Sequence, residues 1–345
     1  MIFKNIYKGK RVLITGHTGV KASWLALWLH RLGAEVMGIS HPPKPFPTHY
    51  ELIGLRDIIK KDIHADISAI NEIESFSPEI VFHLAAKAIV PRTFAEPEST
   101  FQHNIMGTVH ILELCRKCSS VKGIVLIVSD KVYENKEWNY AYRENDELGG
   151  VDPYSCSKVC IEHIIRCYRE SYGLNIAAAR AGNIITGGDW GEKRLIPDMV
   201  RAASSDKVVE IHTPHATRPF QHALEALQGY LLLGQKIMEG GDVNRSWNFG
   251  PNAESLSVLD VLNIAQGIWP KINWIVDNKP THPHMVYLLK IDSTEAKKQL
   301  GWEPRWNMAM AVRMTIMWYK EYYENGIVRT NDDINLYEGF LHGKL

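Results

Sequence analysis

The sequence predicts an α/β fold, with a doubly wound parallel sheet in its first half and a smaller, mixed α/β lobe on its C-terminal side. Short apolar runs alternate with amphipathic stretches in the first half, as in parallel strands covered by helices on both faces. After Arg180 the pattern loosens, and proline, glycine and tryptophan separate short elements. Because crossovers between parallel strands are right-handed, the first half is expected to form a Rossmann-type sheet.

The strand and helix candidates justify this prediction in chain order. A β-rich run at 11–15 ends in a glycine-containing turn, and an apolar helical stretch follows it at 23–32. Further strands are predicted at 35–39, around Ile63, at 80–84 and at 123–128. Two more helices are predicted at 104–118 and 154–172.

Length, charge and hydropathy exclude several classes of protein. The 345 residues are 45% hydrophobic, enough to bury a full core. The formal net charge is zero without long runs of like charge, so a surface that follows nucleic-acid phosphates is not expected. No apolar run reaches the ~20 residues that span a bilayer, and the N-terminus does not resemble a signal peptide. We therefore expect a cytoplasmic protein that binds neither membranes nor nucleic acids.

The five cysteines are expected to be reduced structural thiols, and no metal site is predicted. Cys115 and Cys118 are spaced like half a metal site, but no second pair of cysteines or histidines stands at a suitable spacing. Cys156, Cys160 and Cys167 recur at helical spacing, which predicts buried small side chains on one helix face. Reduced thiols are typical of a cytoplasmic protein.

The turn after the first strand predicts a dinucleotide-binding loop. Gly16 and Gly19 let the backbone turn tightly and approach a pyrophosphate, whose charge then lies at the N-terminus of the next helix. Thr18 and Val20 complete the predicted cofactor contacts of this loop. An ordinary strand-to-helix turn is the alternative, but the position in the first β-α unit favours the nucleotide.

The ends of the second and third strands bear on the adenosine half of the cofactor. The second strand ends in Ser40 and His41, without an acidic residue for a ribose hydroxyl, so the choice between NAD and NADP stays open. Asp62 and Ile63 are predicted adenine contacts, with a strand-terminal turn as an equal alternative.

The chain is predicted to divide into two domains. Residues 1–182 are predicted to form the dinucleotide-binding domain, completed by a segment near 222–250. Residues 183–221 and 251–345 are predicted to form a substrate-binding lobe.

Tyr154 and Lys158 predict proton transfer coupled to hydride transfer. They are four residues apart, so on a helix they share one face. The ammonium of Lys158 is expected to lower the pKa of the phenol, so that Tyr154 takes a proton from a sugar hydroxyl. A tyrosine and a lysine at this spacing are common by chance. Here the pair follows a fifth predicted parallel strand and lies at the start of a long helix, which favours the catalytic interpretation. Ser129, at the end of that strand, is expected to hydrogen-bond the same oxygen.

Asp130 and Lys131 predict a second reaction, the removal of water. Oxidation of a sugar at C4 makes the C5 proton acidic, so a base can remove that proton while an acid protonates the departing C6 hydroxyl. A desolvated Lys131 suits the base, and Asp130 suits the acid if burial raises its pKa. A solvated ion pair is the alternative for an Asp-Lys dipeptide.

These motifs and several later ones resemble a known family. The characteristic stretches lie at 129–135, 142–146, 152–155, 180–183, 187–190, 194–198 and 216–222. From about residue 10 to residue 318 the chain resembles the extended short-chain dehydrogenase/reductases, and among them the CDP-glucose 4,6-dehydratases. The resemblance implies NAD used catalytically on a CDP-hexose: oxidation at C4, loss of water across C5–C6 and return of hydride to C6. It also implies a product destined for surface polysaccharides.

The resemblance further implies residue roles and an assembly. The implied catalytic residues are Ser129, Asp130, Lys131, Tyr154 and Lys158. Ala85 and Asn104 are implied on the cofactor side. The implied substrate-binding residues are Arg92, Asn183, Arg194, Leu195 and Arg218. A homodimer or higher homo-oligomer through a four-helix bundle of helices 104–118 and 154–172 is also implied.

Two other functions stay open at this point. Another nucleotide-sugar oxidoreductase, either a C4 epimerase or an NAD(P)H-dependent reductase, could use the same fold, although an epimerase would not need Asp130 and Lys131. The second alternative is a catalytically silent dinucleotide sensor, although such a protein would not need Tyr154 and Lys158.

The chain also departs from the family pattern at Lys87, Ala88 and Pro91, in the segment expected beside the sugar.

Overall fold

The computed structural model describes residues 2–43, 47–251, 256–277 and 288–343. The strands are β1 (Arg11–Thr15), β2 (Glu35–Ser40), β3 (Lys61–His64), β4 (Ile80–His83), β5 (Gly123–Ile127), β6 (Ile176–Ala181), β7 (Ile184–Ile185), β8 (Val208–Ile211), β9 (Thr217–Arg218), β10 (Gln221–His222), β11 (Ser246–Phe249), β12 (Leu256–Ser257) and β13 (Asn273–Val276). The helices are α1 (Val20–Arg31), α2 (His49–Leu52), α3 (Leu55–Ile58), α4 (Val90–Ala95), α5 (Pro97–Phe101), α6 (Gly107–Lys117), α7 (Pro153–Tyr172), α8 (Leu195–Ser204), α9 (Ala223–Met238), α10 (Val258–Ile268), α11 (Met308–Asn325) and α12 (Thr330–Leu341).

A seven-stranded parallel sheet forms the centre, which confirms the predicted α/β class. Its order is β11-β6-β5-β4-β1-β2-β3, and β1 pairs with β2 on one side and β4 on the other. Alternate residues of β1 face opposite layers. Val12 and Ile14 belong to one core with α1 and α9, whereas Leu13 belongs to a second core with α6 and α7. Helices therefore cover both faces, as near-continuous apolar strands require.

The remaining strands form short pairs in a mixed α/β region. β7 pairs with β10 and β8 with β13, both in parallel, while β9 and β12 pair antiparallel. Helices α8, α10 and α11 lie among these pairs, and α11 packs against α10 and β10. None of the helices in the described ranges is long and apolar enough to cross a membrane.

Two helices show how local sequence sets the position of the site. The Asp152 carboxylate accepts hydrogen bonds from the backbone N–H groups of Tyr154 and Ser155, so it caps the first turn of α7. Gly173 ends α7 in the left-handed region at φ +68°. The helix predicted at 104–118 instead begins as a π-helical turn at Gln102–Met106, and α6 continues from it.

The cysteines are only partly as expected. All five are free thiols, which agrees with the prediction. Cys115 and Cys118 are buried, but Cys156 and Cys160 are half-buried and Cys167 is exposed. The prediction that the last three form a buried face was therefore wrong. Helical spacing gives the shared face of α7, but not whether that face meets the core.

Candidate active site

A large cleft runs along the carboxyl edge of the sheet. It has a volume of about 1940 Å³ and lies between the sheet and the mixed region. This volume exceeds that of an ordinary small-molecule pocket, so the cleft has room for two nucleotides end to end. Most of the predicted site residues line it: Gly16, Thr18, Gly19, Val20, Ala85, Ser129, Asp130, Lys131, Tyr154, Lys158, Asn183, Arg194 and Leu195.

The loop between β1 and α1 forms one end of the cleft. Gly16 lies in the left-handed region at φ +77°, and a Cβ added there would come 2.9 Å from Cα of Ala85. Gly19 stands at the N-cap of α1 without a side-chain hydrogen bond to the helix, so the first N–H groups of α1 face the cleft. A twelve-residue helix aimed at a glycine-lined turn fits a pyrophosphate.

Asp62 and Ile63, the predicted adenine contacts, do not line the cleft. The Asp62 carboxylate lies beneath the loop, where it is 2.6 Å from His17 Nε2 and also accepts a hydrogen bond from Tyr50. Asp66 and Ile67, just beyond β3, line the cleft in their place. The residues after β3 that line the cleft therefore lie four positions further along the chain than the predicted pair.

Tyr154 and Lys158 lie together on α7, as their spacing predicts. Lys158 Nζ is 5.9 Å from the centre of the Tyr154 ring and donates to the carbonyl of Ile127 at 3.1 Å. Burial raises the pKa of Tyr154 to about 12, although a hydrogen bond with Ser129 opposes the rise. Burial, reinforced by nearby Lys21, lowers the pKa of Lys158 to about 7. The expected lowering of the phenol pKa by Lys158 is therefore wrong for this structure, because burial dominates.

Asp130 lies three residues after the end of β5, in a short helical turn that Ser129 caps. The Ser129 hydroxyl donates to Asp130 Oδ1 at 3.0 Å and accepts from the Lys131 N–H at 3.2 Å. Asp130 is buried, and burial raises its pKa against the opposing charge of Lys131. A buried carboxyl with a raised pKa is suited to donating a proton. Lys131 is half-buried at the wall of the cleft.

The three predicted substrate-binding arginines differ in their positions. Arg194 lines the cleft, and its Nη1 donates to Asp189 Oδ2 at 2.7 Å. Arg92 does not line the cleft, and its Nη2 donates to Glu192 Oε2 at 2.9 Å. Arg218 belongs to β9, but its side chain lies outside the described part of the chain.

Asn104 does not line the cleft, but it ties two of the cleft's segments together. Its Nδ2 donates to the Ser157 hydroxyl on α7 at 2.9 Å, and its Oδ1 accepts from the Lys87 N–H at 2.7 Å. Asn104 is fully buried within the π-helical turn. It therefore holds the loop after β4 against the helix that carries Tyr154.

The chain is similar to known nucleotide-sugar enzymes over most of its length. A family model described as GDP-mannose 4,6 dehydratase matches residues 13–315. The CDP-glucose 4,6-dehydratase of Salmonella typhimurium is 40% identical over 335 residues, which cover 93% of each chain. The chain belongs to this family of nucleotide-sugar dehydratases.

A more distant relative and two solved structures are also similar to this chain. The dTDP-glucose 4,6-dehydratase of Salmonella typhimurium is 26% identical over 74% of this chain and 77% of its own. A UDP-glucose 4-epimerase from Thermotoga maritima superimposes with a TM-score of 0.76 at 22% identity, covering 90% and 99% of the two chains. The NDP-hexosamine 5,6-dehydratase TunA gives 0.77 at 23% identity, covering 90% and 98%. At these identities the structures show the shared fold.

Among the cleft residues that were not predicted from the sequence, Lys21 stands out by its charge and position. Lys21, two residues after Gly19, lines the cleft and lies close enough to Asp130 and Arg194 to interact with their charges. Its Nζ is 5.7 Å from the centre of the Tyr230 ring, and burial lowers its pKa to about 8. A lysine in the first turn of the helix after the glycine-rich loop was the available sequence signal, because that turn would face the phosphates of a dinucleotide.

Proposed function

We propose that this chain is an NAD-dependent CDP-glucose 4,6-dehydratase. The observation that carries the proposal is the buried carboxyl group of Asp130, which accepts a hydrogen bond from Ser129. It lines the same cleft as Tyr154 and Lys158. Redox chemistry alone would need only the tyrosine and lysine, whereas a proton donor in the same cleft serves the loss of water. The 40% identity to a CDP-glucose 4,6-dehydratase over 93% of both chains supports the same substrate.

The cofactor end of the cleft fits a dinucleotide. The pyrophosphate of the dinucleotide would lie against the backbone of Gly16, where no Cβ obstructs it, and at the exposed N-terminus of α1. Thr18, Gly19 and Val20 line the cleft beside this position. When bound, NAD supplies the acceptor for the C4 hydride and later the donor to C6.

The chain's own residues then carry the protons. Tyr154 takes the proton of the C4 hydroxyl as the C4 hydride leaves, which produces a ketone at C4. Lys131 removes the C5 proton, and Asp130 protonates the C6 hydroxyl, which departs as water and leaves a C5–C6 double bond. Return of hydride to C6 and of a proton to C5 then gives CDP-4-keto-6-deoxyglucose, a precursor for surface polysaccharides.

The substrate would occupy the end of the cleft next to the mixed region. Arg194 suits the diphosphate because a guanidinium forms charge-assisted, bidentate contacts with phosphate oxygens. Asn183 and Leu195 line the same end. We also assign Arg218 to the substrate contacts. Arg92 lies outside the lining and pairs with Glu192, so a role in substrate binding requires its side chain to leave that carboxylate. We assign residues 183–221 and 251–345 to this substrate-binding lobe, and 1–182 with a segment near 222–250 to the cofactor domain.

We further propose a cytoplasmic homodimer, or a higher homo-oligomer, that pairs α6 and α7 with the same helices of a second copy. The half-buried and exposed thiols of α7, Cys156, Cys160 and Cys167, are consistent with a helix face that is covered by a partner. Light scattering of the purified protein would measure the mass, and a monomeric mass would contradict this assembly.

The test of function is mass spectrometry after incubation of the purified protein with CDP-glucose and no added reductant. Loss of one water from the sugar would establish the dehydratase and its internal recycling of hydride. An unchanged mass with an inverted C4 would establish the epimerase in its place. Recovery of unreacted CDP-glucose would contradict the proposed substrate.

A further inference from the structure

The backbone of Gly182 lies directly against the Asp130 side chain. A Cβ built on Gly182 would coincide with the carboxyl group of Asp130, and its three nearest atoms all belong to that group. Gly182 stands one residue beyond the end of β6, and Asp130 follows the adjacent strand β5. The two strands are neighbours, so the first residue after β6 and the third residue after β5 meet at the edge that forms the cleft.

The backbone conformation does not require glycine at this position. Gly182 is not among the residues with positive φ, whereas its neighbour Asn183 is, at φ +46°. An alanine at 182 would therefore adopt the same backbone without strain from the left-handed region. What glycine provides here is space.

The Gly182 backbone is also fixed in place. Its carbonyl accepts a hydrogen bond from Gln221 Nε2 at 3.2 Å, and the same amide donates to the carbonyl of Phe249 at 2.8 Å. Gln221 is buried and joins Gly182 to the end of the neighbouring strand β11. A methyl group at 182 would therefore be accommodated by movement of Asp130, because the backbone is held from both sides.

We propose that Gly182 is a positioning residue for the loss of water, and that it acts by reserving space for the Asp130 carboxyl group. This inference rests on the proposed dehydratase function. Displacement of Asp130 would break its bond with Ser129 and move the proton donor away from the C6 hydroxyl. Tyr154 and Lys158 lie on α7, and no atom of either is among the three nearest to the added methyl. A side chain at 182 should therefore separate the two half-reactions and spare oxidation at C4.

The experiment compares Gly182→Ala with Gly267→Ala in the full chain. Gly267 lies on α10 and a Cβ there meets nothing within 4 Å, so the same chemical change is made without a clash. Gly267→Ala is expected to match the parent in NADH formation and in water loss. Gly182→Ala is expected to form bound NADH with CDP-glucose while water loss, followed by mass spectrometry, falls by about 10²-fold or more, the contribution of a placed general acid. Dehydration by Gly182→Ala at the parental rate would overturn the inference.

A thermal double-mutant cycle tests the contact itself, including the case in which Gly182→Ala is too unstable to assay. Gly182→Ala is expected to lower the Tm in the parent background, and to lower it much less in an Asp130→Ala background, where the displaced carboxyl is gone. An equal drop in both backgrounds would overturn the inference, because the methyl would then clash elsewhere. The cycle needs no turnover, so it separates failure of this inference from failure of the proposed dehydratase function.

Discussion

Single residues of the cleft show burial acting in opposite senses on the two proposed half-reactions. Burial raises the pKa of Asp130, as a proton donor needs. Burial also raises the pKa of Tyr154, to about 12, which opposes its action as a base. The phenol therefore depends on its hydrogen bond with Ser129 and on nearby positive charge, which both favour the phenolate.

The first residue-scale prediction separates the two half-reactions chemically. Asp130→Asn combined with Lys131→Ala should retain oxidation at C4, seen as bound NADH, and lose dehydration by about 10²-fold to 10⁴-fold. Tyr154→Phe should suppress even the formation of NADH, because no group then accepts the hydroxyl proton. Rapid-scan absorbance with product mass spectrometry would measure both steps. Normal dehydration by the double variant would show that the two roles are wrongly assigned.

The second residue-scale prediction concerns the buried ion pair between Glu162 and Arg180. Arg180 Nε donates to Glu162 Oε1 at 2.7 Å, and its Nη1 donates to the Tyr133 hydroxyl at 2.8 Å. Glu162→Ala leaves the guanidinium buried without its counter-charge, so the free energy of unfolding should fall by about 3–5 kcal/mol. Glu170→Ala, which removes the exposed partner of Arg166, is the control and should change it by less than about 0.5 kcal/mol. Urea denaturation would measure both, and equal losses would contradict the assigned importance of burial.

At the scale of elements, the chain order of strands and helices could be predicted, but the exact end of each element could not. The sequence contains two Asp-Ile pairs four residues apart, Asp62-Ile63 and Asp66-Ile67. Which pair reaches the cleft depends on where β3 ends, and it ends at His64. Strand ends depend on pairing with β2, a tertiary property that local composition does not contain. The burial that opposes the Tyr154 base is likewise a property of the folded cleft.

The element-scale prediction tests the loop between β1 and α1. Gly16→Ala should weaken NAD binding strongly, because the added methyl would meet the backbone of Ala85 at 2.9 Å and distort the turn. Gly9→Ala is a matched control, since Gly9 also has a left-handed φ, of +70°, but nothing lies within 4 Å of its Cβ position. Both variants place an alanine in the left-handed region of φ, which costs about 1–2 kcal/mol of stability in each. Calorimetric titration with NAD should detect a loss for Gly16→Ala alone, and equal affinities would show that the clash is relieved without consequence.

The whole molecule buries ionisable groups that link its stability to pH in opposite directions. Burial lowers the pKa of His49, His83 and His222 to about 3. Burial raises the pKa of Glu225 and Asp333 to about 7. The histidines favour the folded state above their unfolded pKa of about 6.5 and lose that contribution as the pH falls. The carboxyls favour the folded state at low pH and lose that contribution as the pH rises towards 7.

The whole-molecule prediction compares one group of each kind. His83 bonds with the hydroxyls of Thr15 and Thr108, so His83→Gln keeps a polar side chain there without the titration. Between about pH 4.5 and 6 this variant should lose stability more slowly than the parent on acidification, by about 1.4 kcal/mol per pH unit for one proton. Asp333→Asn should change the slope by the same amount in the opposite direction, because it removes a group that the fold keeps protonated. Urea denaturation across this pH range would measure the slopes, and slopes that both match the parent would mean that neither buried group has a different pKa in the folded and unfolded chains.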